Sequence, residues 1–473
     1  MYASIGVTLG LALVPGILQP YWRFADDSHM HFSLEHAFSA ANCGTLKTSA
    51  VFDLPGHVAR TPGELTMPLR TVVESHFGSM SDFCATLRIP RIDNEPSLMW
   101  IMRAIFAVSP RASAADIGRT MSAIRVLILA LFCFALSRAG ASLWLIGAVA
   151  VAACGVLRAL GPYQYNNNPF IFSLTLLLIG LYVLLLASSR RPGSGAGIVV
   201  FAGLGALTAF AANMRTSHIP IYLTLFAAFV VAWRRPRGGW GRPTSSRTVV
   251  AVVTFVAAGW ATHWALVTPM QRLGGSGITH HVVAHQLVLA LAVPENDLSR
   301  RERLAWDDAV GFDLARRLNP GVEPLTPAYE STLFRYYFGL WRDHPTEMVG
   351  LYWRKLNRAG SGVLDEIAHL LENRGLPLRA GRWLAGLRVA GLVYLLLSVG
   401  TAVGGWQAFT RRESVLGFAA LLISIAALGT VLESALIMSD FYVFYHSLLL
   451  FYLLVAPAAV IQLAADRWHR VPA

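Results

Sequence analysis

The chain alternates apolar runs of roughly twenty residues with short basic turns, and that pattern constrains its fold more than any single motif. A run of this length spans the hydrocarbon core of a bilayer as a helix, whose backbone bonds are satisfied internally. Ten such runs are predicted, at roughly 1–20, 121–137, 142–160, 169–187, 196–212, 218–233, 248–268, 384–403, 414–432 and 441–463. With 55% hydrophobic and 14% charged residues in 473, a soluble core could not absorb this apolar surface. The first run has no basic leader and no small-residue cleavage site, so it is read as a retained helix. The expected fold class is an all-α integral membrane protein of about ten spans.

Arginine sets the expected orientation. The short turns on one side and the C-terminal tail carry Arg138, Arg190, Arg191, Arg234, Arg235, Arg237, Arg242, Arg247, Arg411, Arg412, Arg467 and Arg470 against only Glu413 and Asp466. The other side's short turns hold Arg158 and Arg215 with Glu433 and Asp440. The positive-inside rule then puts both termini in the cytoplasm; the expected location is the bacterial inner (plasma) membrane. Most of the net charge of +12 is this topological signal, so no nucleic-acid partner is expected.

Two long polar segments, 21–120 and 269–383, fall together on the extracytoplasmic side of this map. They divide the chain into an N-terminal transmembrane module with its outer loop (1–268), a second outer loop (269–383) and C-terminal spans (384–473). His31 to Ala41 has helical character, and Glu95-Pro-Ser-Leu98 opens another helix with proline in its first turn. Ser299 to Leu318 reads as one amphipathic helix. A further helix follows Asp343-His-Pro345, with Asp343 as its cap and Arg354, Lys355 and Arg358 near its basic end. Cys43 and Cys84 share the first outer loop and could bridge in an oxidising compartment; spacing alone does not decide it.

Asp26 and Asp27, in Phe24-Ala-Asp-Asp-Ser-His29, stand just past the first span, at a membrane–water boundary. Carboxylates there suit an enzyme that acts on a lipid-borne substrate, though they read equally well as solvated loop acids or a helix cap. Transfer of a sugar from a phosphate donor needs one base for the acceptor proton and cations for the leaving phosphate. Asp26 or Asp27 would be the base, and Arg354, Lys355, Arg358 and Arg215 the donor phosphate-binding cations. His29, Tyr163, Gln164, Asn166 and Asn167 would contact sugar or acceptor. The plain alternatives are interfacial snorkelling for the cations and helix capping for the Asn run. His280, His281 and His285 tempt a metal reading, but no acid or cysteine lies near them in sequence.

In order and placement these features resemble the GT-C superfamily of integral-membrane glycosyltransferases. The resemblance rests on Phe24-Ala-Asp-Asp-Ser28 after the first helix, Glu95-Pro-Ser-Leu98 late in the first outer loop, Gly118-Arg119 with Arg125 at the second span, and the His344-Pro345 to Arg354-Lys355 helix. It covers nearly the whole chain as architecture. It implies an inverting enzyme of cell-envelope glycan biosynthesis that uses a polyprenyl-phosphate-linked sugar and a lipid, glycan or protein acceptor. Several members place a second acid or metal ligand in the next outer loop. Here Arg158 to Asn168 contains no carboxylate, so no cofactor is expected and a divalent metal has no second acidic motif to hold it. The competing classes are an O-antigen ligase or polymerase type of transferase and a polytopic transporter. One dominant outer loop would favour the first, and internal symmetry with midplane charges the second.

Overall fold

The structure, a computed structural model, describes residues 32–49, 51, 54, 65–90, 96–159, 168–188, 194–215, 218–235, 244–274, 283–324, 326–372, 390–436 and 442–468. The first polar segment contains α1 (Phe32–Asn42), β1 (Lys47–Ser49), α2 (Leu69–Phe77), α3 (Met80–Thr86), β2 (Leu87–Pro90) and α4 (Pro96–Val108). The helices α5 (Ala114–Arg138), α6 (Leu143–Ala159), α7 (Asn168–Ala187), α8 (Ser194–Ala212), α9 (Ile219–Arg234) and α10 (Ser245–Gly274) follow. Next come α11 (Val283–Leu289), α12 (Asp297–Glu302), α13 (Asp308–Leu318), α14 (Pro327–Asp343) and α15 (Pro345–Glu372). The last helices are α16 (Ala390–Arg412), α17 (Val415–Leu436) and α18 (Tyr442–Trp468).

Among the described residues, six helices are long and apolar enough to cross a membrane: α5, α7, α8, α10, α16 and α17. Three more of the ten expected runs coincide with the apolar helices α6, α9 and α18. The tenth run, 1–20, lies outside the described residues. The protein is therefore a helical membrane protein; among the described residues it has one small antiparallel ribbon, β1–β2, which pairs Thr48 with Ile89.

The chain divides into two compact units: residues 1–276, 405–422 and 461–473 form the first, and 277–404 with 423–460 the second. The C-terminal helices are shared between the units.

In the first unit, α8 and α10 run parallel at a constant offset. Gly205 presses on the carbonyl oxygen of Phe255, Gly259 approaches Gly205 and Ala209, and Asn213 Oδ1 lies 3.1 Å from His263 Nδ1. Glycine is needed at 205, since a Cβ there would collide with the Phe255 backbone. Parallel pairing recurs between α7 and α9, where Thr175 meets Tyr222 and Tyr182 stacks on Phe229 at 4.7 Å. Parallel neighbours with one helix between them in sequence require each successive helix to reverse direction. The outward face of α10 carries Val249, Val253, Val256, Trp260 and Trp264 at helical spacing, with Trp260 70% exposed. A stripe this apolar is stable only against lipid or another protein.

The two ends of this unit differ in chemistry. At one end, the 139–142 turn meets α18 through Gln462, which accepts from Ser142 N and donates to Gly140 O. There Arg412 donates to Leu463 O, and the Arg235 guanidinium lies over the Trp406 ring. At the other end lies the first polar segment. Trp100 Nε1 donates to Leu266 O at 2.9 Å, Ser97 Oγ to Phe210 O at 2.7 Å, and Leu46 N to Leu273 O at 3.2 Å. Cys43 and Cys84 are bonded, joining α1's end to α3.

The second unit holds a core built from α11, α13, α14 and α15, with Tyr329, Leu333, Met348 and Leu351 at its centre. The expected single helix over Ser299–Leu318 is interrupted. Arg303 adopts a left-handed φ of 55° that ends α12, and Asp307 caps a fresh start by accepting from Ala309 N at 2.9 Å. The expected cap of α15 also changes partner, since Asp343 is bonded to Arg342 at 2.8 Å.

Candidate functional site

The first unit gathers buried polar groups at its polar end. Every residue from Leu34 to Ala40 in α1 is buried, including Glu35, His36 and Ser39. Glu35 Oε1 accepts from Ser49 N at 3.4 Å, which ties the helix to β1. Phe38 anchors α1 against Phe106 of α4 and Phe83 of α3. Buried Asn213, just past α8, bonds to the exposed His263 of α10 at the end where α4 is fastened, and buried His218 follows. Arg125 is buried in α5, donates to Ser122 Oγ at 2.8 Å, and lies over the Phe170 ring at the start of α7. Polar groups cost free energy to bury unless bonded, and ionisable groups within spans are uncommon without a use.

Of the residues singled out from sequence, Asp26, Asp27, His29, Tyr163, Gln164, Asn166 and Asn167 lie outside the described residues, as do His280 and His281. Arg215 is half-buried just beyond α8, where its carbonyl accepts from His218 N. Arg354 and Arg358 are exposed on α15, one turn apart. Lys355 points the other way and is 0% exposed. Its Nζ donates to Ala290 O at 2.8 Å and to Leu436 O at 3.4 Å, and lies 5.4 Å from the Tyr352 ring centre. The structure thus separates the lysine from the two arginines it neighbours in sequence. Its ammonium sits at the C-terminal end of α17, where backbone carbonyls attract a cation.

His285 is drawn into a different network. Its Nε2 lies 3.0 Å from Asp308 Oδ1, and Nδ1 bonds to the Tyr329 hydroxyl. With Asp308 ionised, Nε2–H donates and the neutral ring's Nδ1 accepts from the Tyr329 O–H. Burial, with help from the Asp308 and Glu330 charges, pushes the Tyr329 hydroxyl well above the ordinary phenol range. Burial likewise raises the Glu330 carboxyl, against the pull of the Ala284 and Val283 N–H groups and of His285. The acids missing from the sequence neighbourhood of His285 are therefore supplied by α13 and α14. Among the described residues, no group of three or more His, Cys, Asp or Glu is placed to hold a metal ion.

Sequence reading missed Glu35 and His36 as interior groups. The apolar residues on both sides of them made a helix legible, but not which of its polar side chains a distant segment would cover. The Asn213–His263 pair had no local signal, since its partners are fifty residues apart. No family model matches the chain, and neither a curated protein nor a solved structure does.

Proposed function

We propose that the protein is an inverting membrane glycosyltransferase of bacterial cell-envelope glycan biosynthesis. It moves a sugar from a polyprenyl-phosphate donor to a lipid, glycan or protein acceptor on the extracytoplasmic face of the inner membrane. The observation that carries this reading is the buried polar layer of α1 and α4, fastened to the ends of α8 and α10 in an otherwise apolar helical array. The Cys43–Cys84 bond favours an oxidising compartment for that layer, and the arginine-rich opposite end favours cytoplasmic termini.

In the reaction, Asp26 or Asp27 takes the proton of the acceptor hydroxyl. The freed oxygen bonds to the sugar's anomeric carbon as the bond from that carbon to the phosphate oxygen breaks. The phosphate leaves with the bonding electrons and needs no proton from an acid, only cations. Arg354, Arg358 and Arg215 are the guanidiniums offered for that charge, and Lys355 supports Arg354 and Arg358 by fixing their helix. Nucleotide sugars are cytoplasmic, so a lipid-linked donor is the activated sugar available on the outer face.

Purified protein in proteoliposomes, supplied with a panel of radiolabelled polyprenyl-phosphate sugars, should transfer label to an added acceptor fraction. Asp26→Asn or Asp27→Asn should lower kcat by at least ~100-fold. Transfer from a nucleotide sugar without any lipid carrier, or full activity in both Asn variants, rejects the reading.

A further inference from the structure

The hairpin of α14 and α15 leaves large apolar side chains on its outside. Phe338 is 60% exposed on α14, and Val349 and Trp353 are 59% and 47% exposed on α15. They are not scattered. Phe338 stacks on Phe334 and stands one turn from Trp341, which stacks on Tyr352 at 5.5 Å across the seam between the helices. Val349 lies one turn before Tyr352, and Trp353 one turn after Val349. The result is an aromatic-rich ridge along the seam. Beneath it, the Tyr337 and Tyr352 hydroxyls bond at 2.7 Å, and Met348 and Leu351 are buried in the core of the unit.

Cations border the ridge. Arg335 is exposed one turn before Phe338, and Arg354 and Arg358 are exposed farther round α15. The acid in the first turn of α15, Glu347, is engaged by Arg301 at 3.1 Å. A face of Trp, Phe and Val edged by arginine suits neither bulk water nor acyl chains, and matches the boundary between them. Lys355 sets the level of that face from the other side of α15. Its Nζ donates to the carbonyl of Leu436, the last residue of the membrane-crossing helix α17. Leu432 and Leu436 are themselves exposed, so the outer surface of α17 is apolar up to the point where α15 is attached. A helix bonded to the end of a span lies where hydrocarbon gives way to headgroups.

We propose that α14 and α15 rest on the bilayer as an interfacial hairpin. Phe338, Val349 and Trp353 enter the boundary of the acyl chains, and Arg335, Arg354 and Arg358 stand among anionic headgroups. The proposal does not depend on the glycosyltransferase reading. Within that reading, it is also how a lipid-borne phosphate comes level with Arg354 and Arg358.

The test is the depth of spin labels in proteoliposomes of phosphatidylcholine and phosphatidylglycerol. Phe338→Cys, Val349→Cys and Trp353→Cys are each labelled in the full chain with Cys133 and Cys154 changed to Ala. Asp313→Cys, on the exposed side of α13, is the reference for water. Accessibility to oxygen relative to a polar nickel chelate should be several-fold higher at the three ridge positions than at 313. Ridge labels that match the 313 label overturn the proposal, since the face is then open to water. Ridge labels shielded from both reagents also overturn it, because a protein or a second copy of the chain then covers the face. Arg354→Gln with Arg358→Gln should lower the ratio at 353, and an unchanged ratio overturns the contact with anionic headgroups.

Discussion

Gly311 shows how one residue's environment reverses a general rule. In a helix interior, Gly to Ala ordinarily gains about 1 kcal/mol. Here a Cβ would lie 2.6 Å from His285 Cε1, and that ring is held by Asp308 and Tyr329 and cannot swing aside without losing bonds. Gly311→Ala should therefore destabilise the protein by about 1–3 kcal/mol, the usual range for overpacking. Thermal or denaturant unfolding in detergent would read this, and a stabilised variant would reject the contact. Glu330 gives a pH-dependent prediction. Its folded carboxyl titrates above the unfolded value, chiefly through burial. The folded state thus keeps a proton that the unfolded chain has released, and its stability falls as pH rises from the unfolded pKa through the folded one. Glu330→Gln keeps an acceptor for Ala284 N–H and removes the titration. The stability of wild type minus that of the variant should decline as pH is raised through this window. A difference that holds constant or grows excludes the assignment.

At the scale of elements, capping decides where the second unit's helices begin. Asn296 accepts from Ser299 N at 3.0 Å while Ser299 Oγ accepts from Asn296 N, a reciprocal box that starts α12. The Asn296 amide also donates to Leu291 O and Pro294 O, so one buried side chain closes the turn between two helices. Asn296→Ala should cost about 2–3 kcal/mol, a cap plus buried carbonyls left without donors. Protease sensitivity of the 290–307 region should rise in parallel, and a loss below about 0.5 kcal/mol would show that the box does not hold the turn. The amphipathic period around 299–318 was visible in sequence, but the break at Arg303 was not. Periodicity reports which face is apolar. It does not report a left-handed residue that ends one helix and lets Asp307 start another.

For the whole molecule, the topology is open to a direct test. Reporter fusions at Gly239 and Gly311 should read opposite sides of the membrane, and the same side for both would reject the orientation drawn from the arginine-rich turns. The sequence by itself determined that this is a helical membrane protein, roughly where its apolar helices run, and that two polar segments interrupt them. Those properties follow from local composition, because lipid requires each span to satisfy its own backbone and remain apolar over its length. It also located α4 through Pro96 and grouped Cys43 with Cys84. Only the tertiary structure decided that these cysteines bond, that α8 and α10 run parallel through Gly205 and Gly259, and that Asn213 meets His263. It alone turned Lys355 inward to Ala290 and Leu436 while leaving Arg354 and Arg358 exposed, and it buried Glu35 and His36. Burial and pairing of a polar side chain depend on which distant segment packs against it, and such contacts leave no mark in the local sequence.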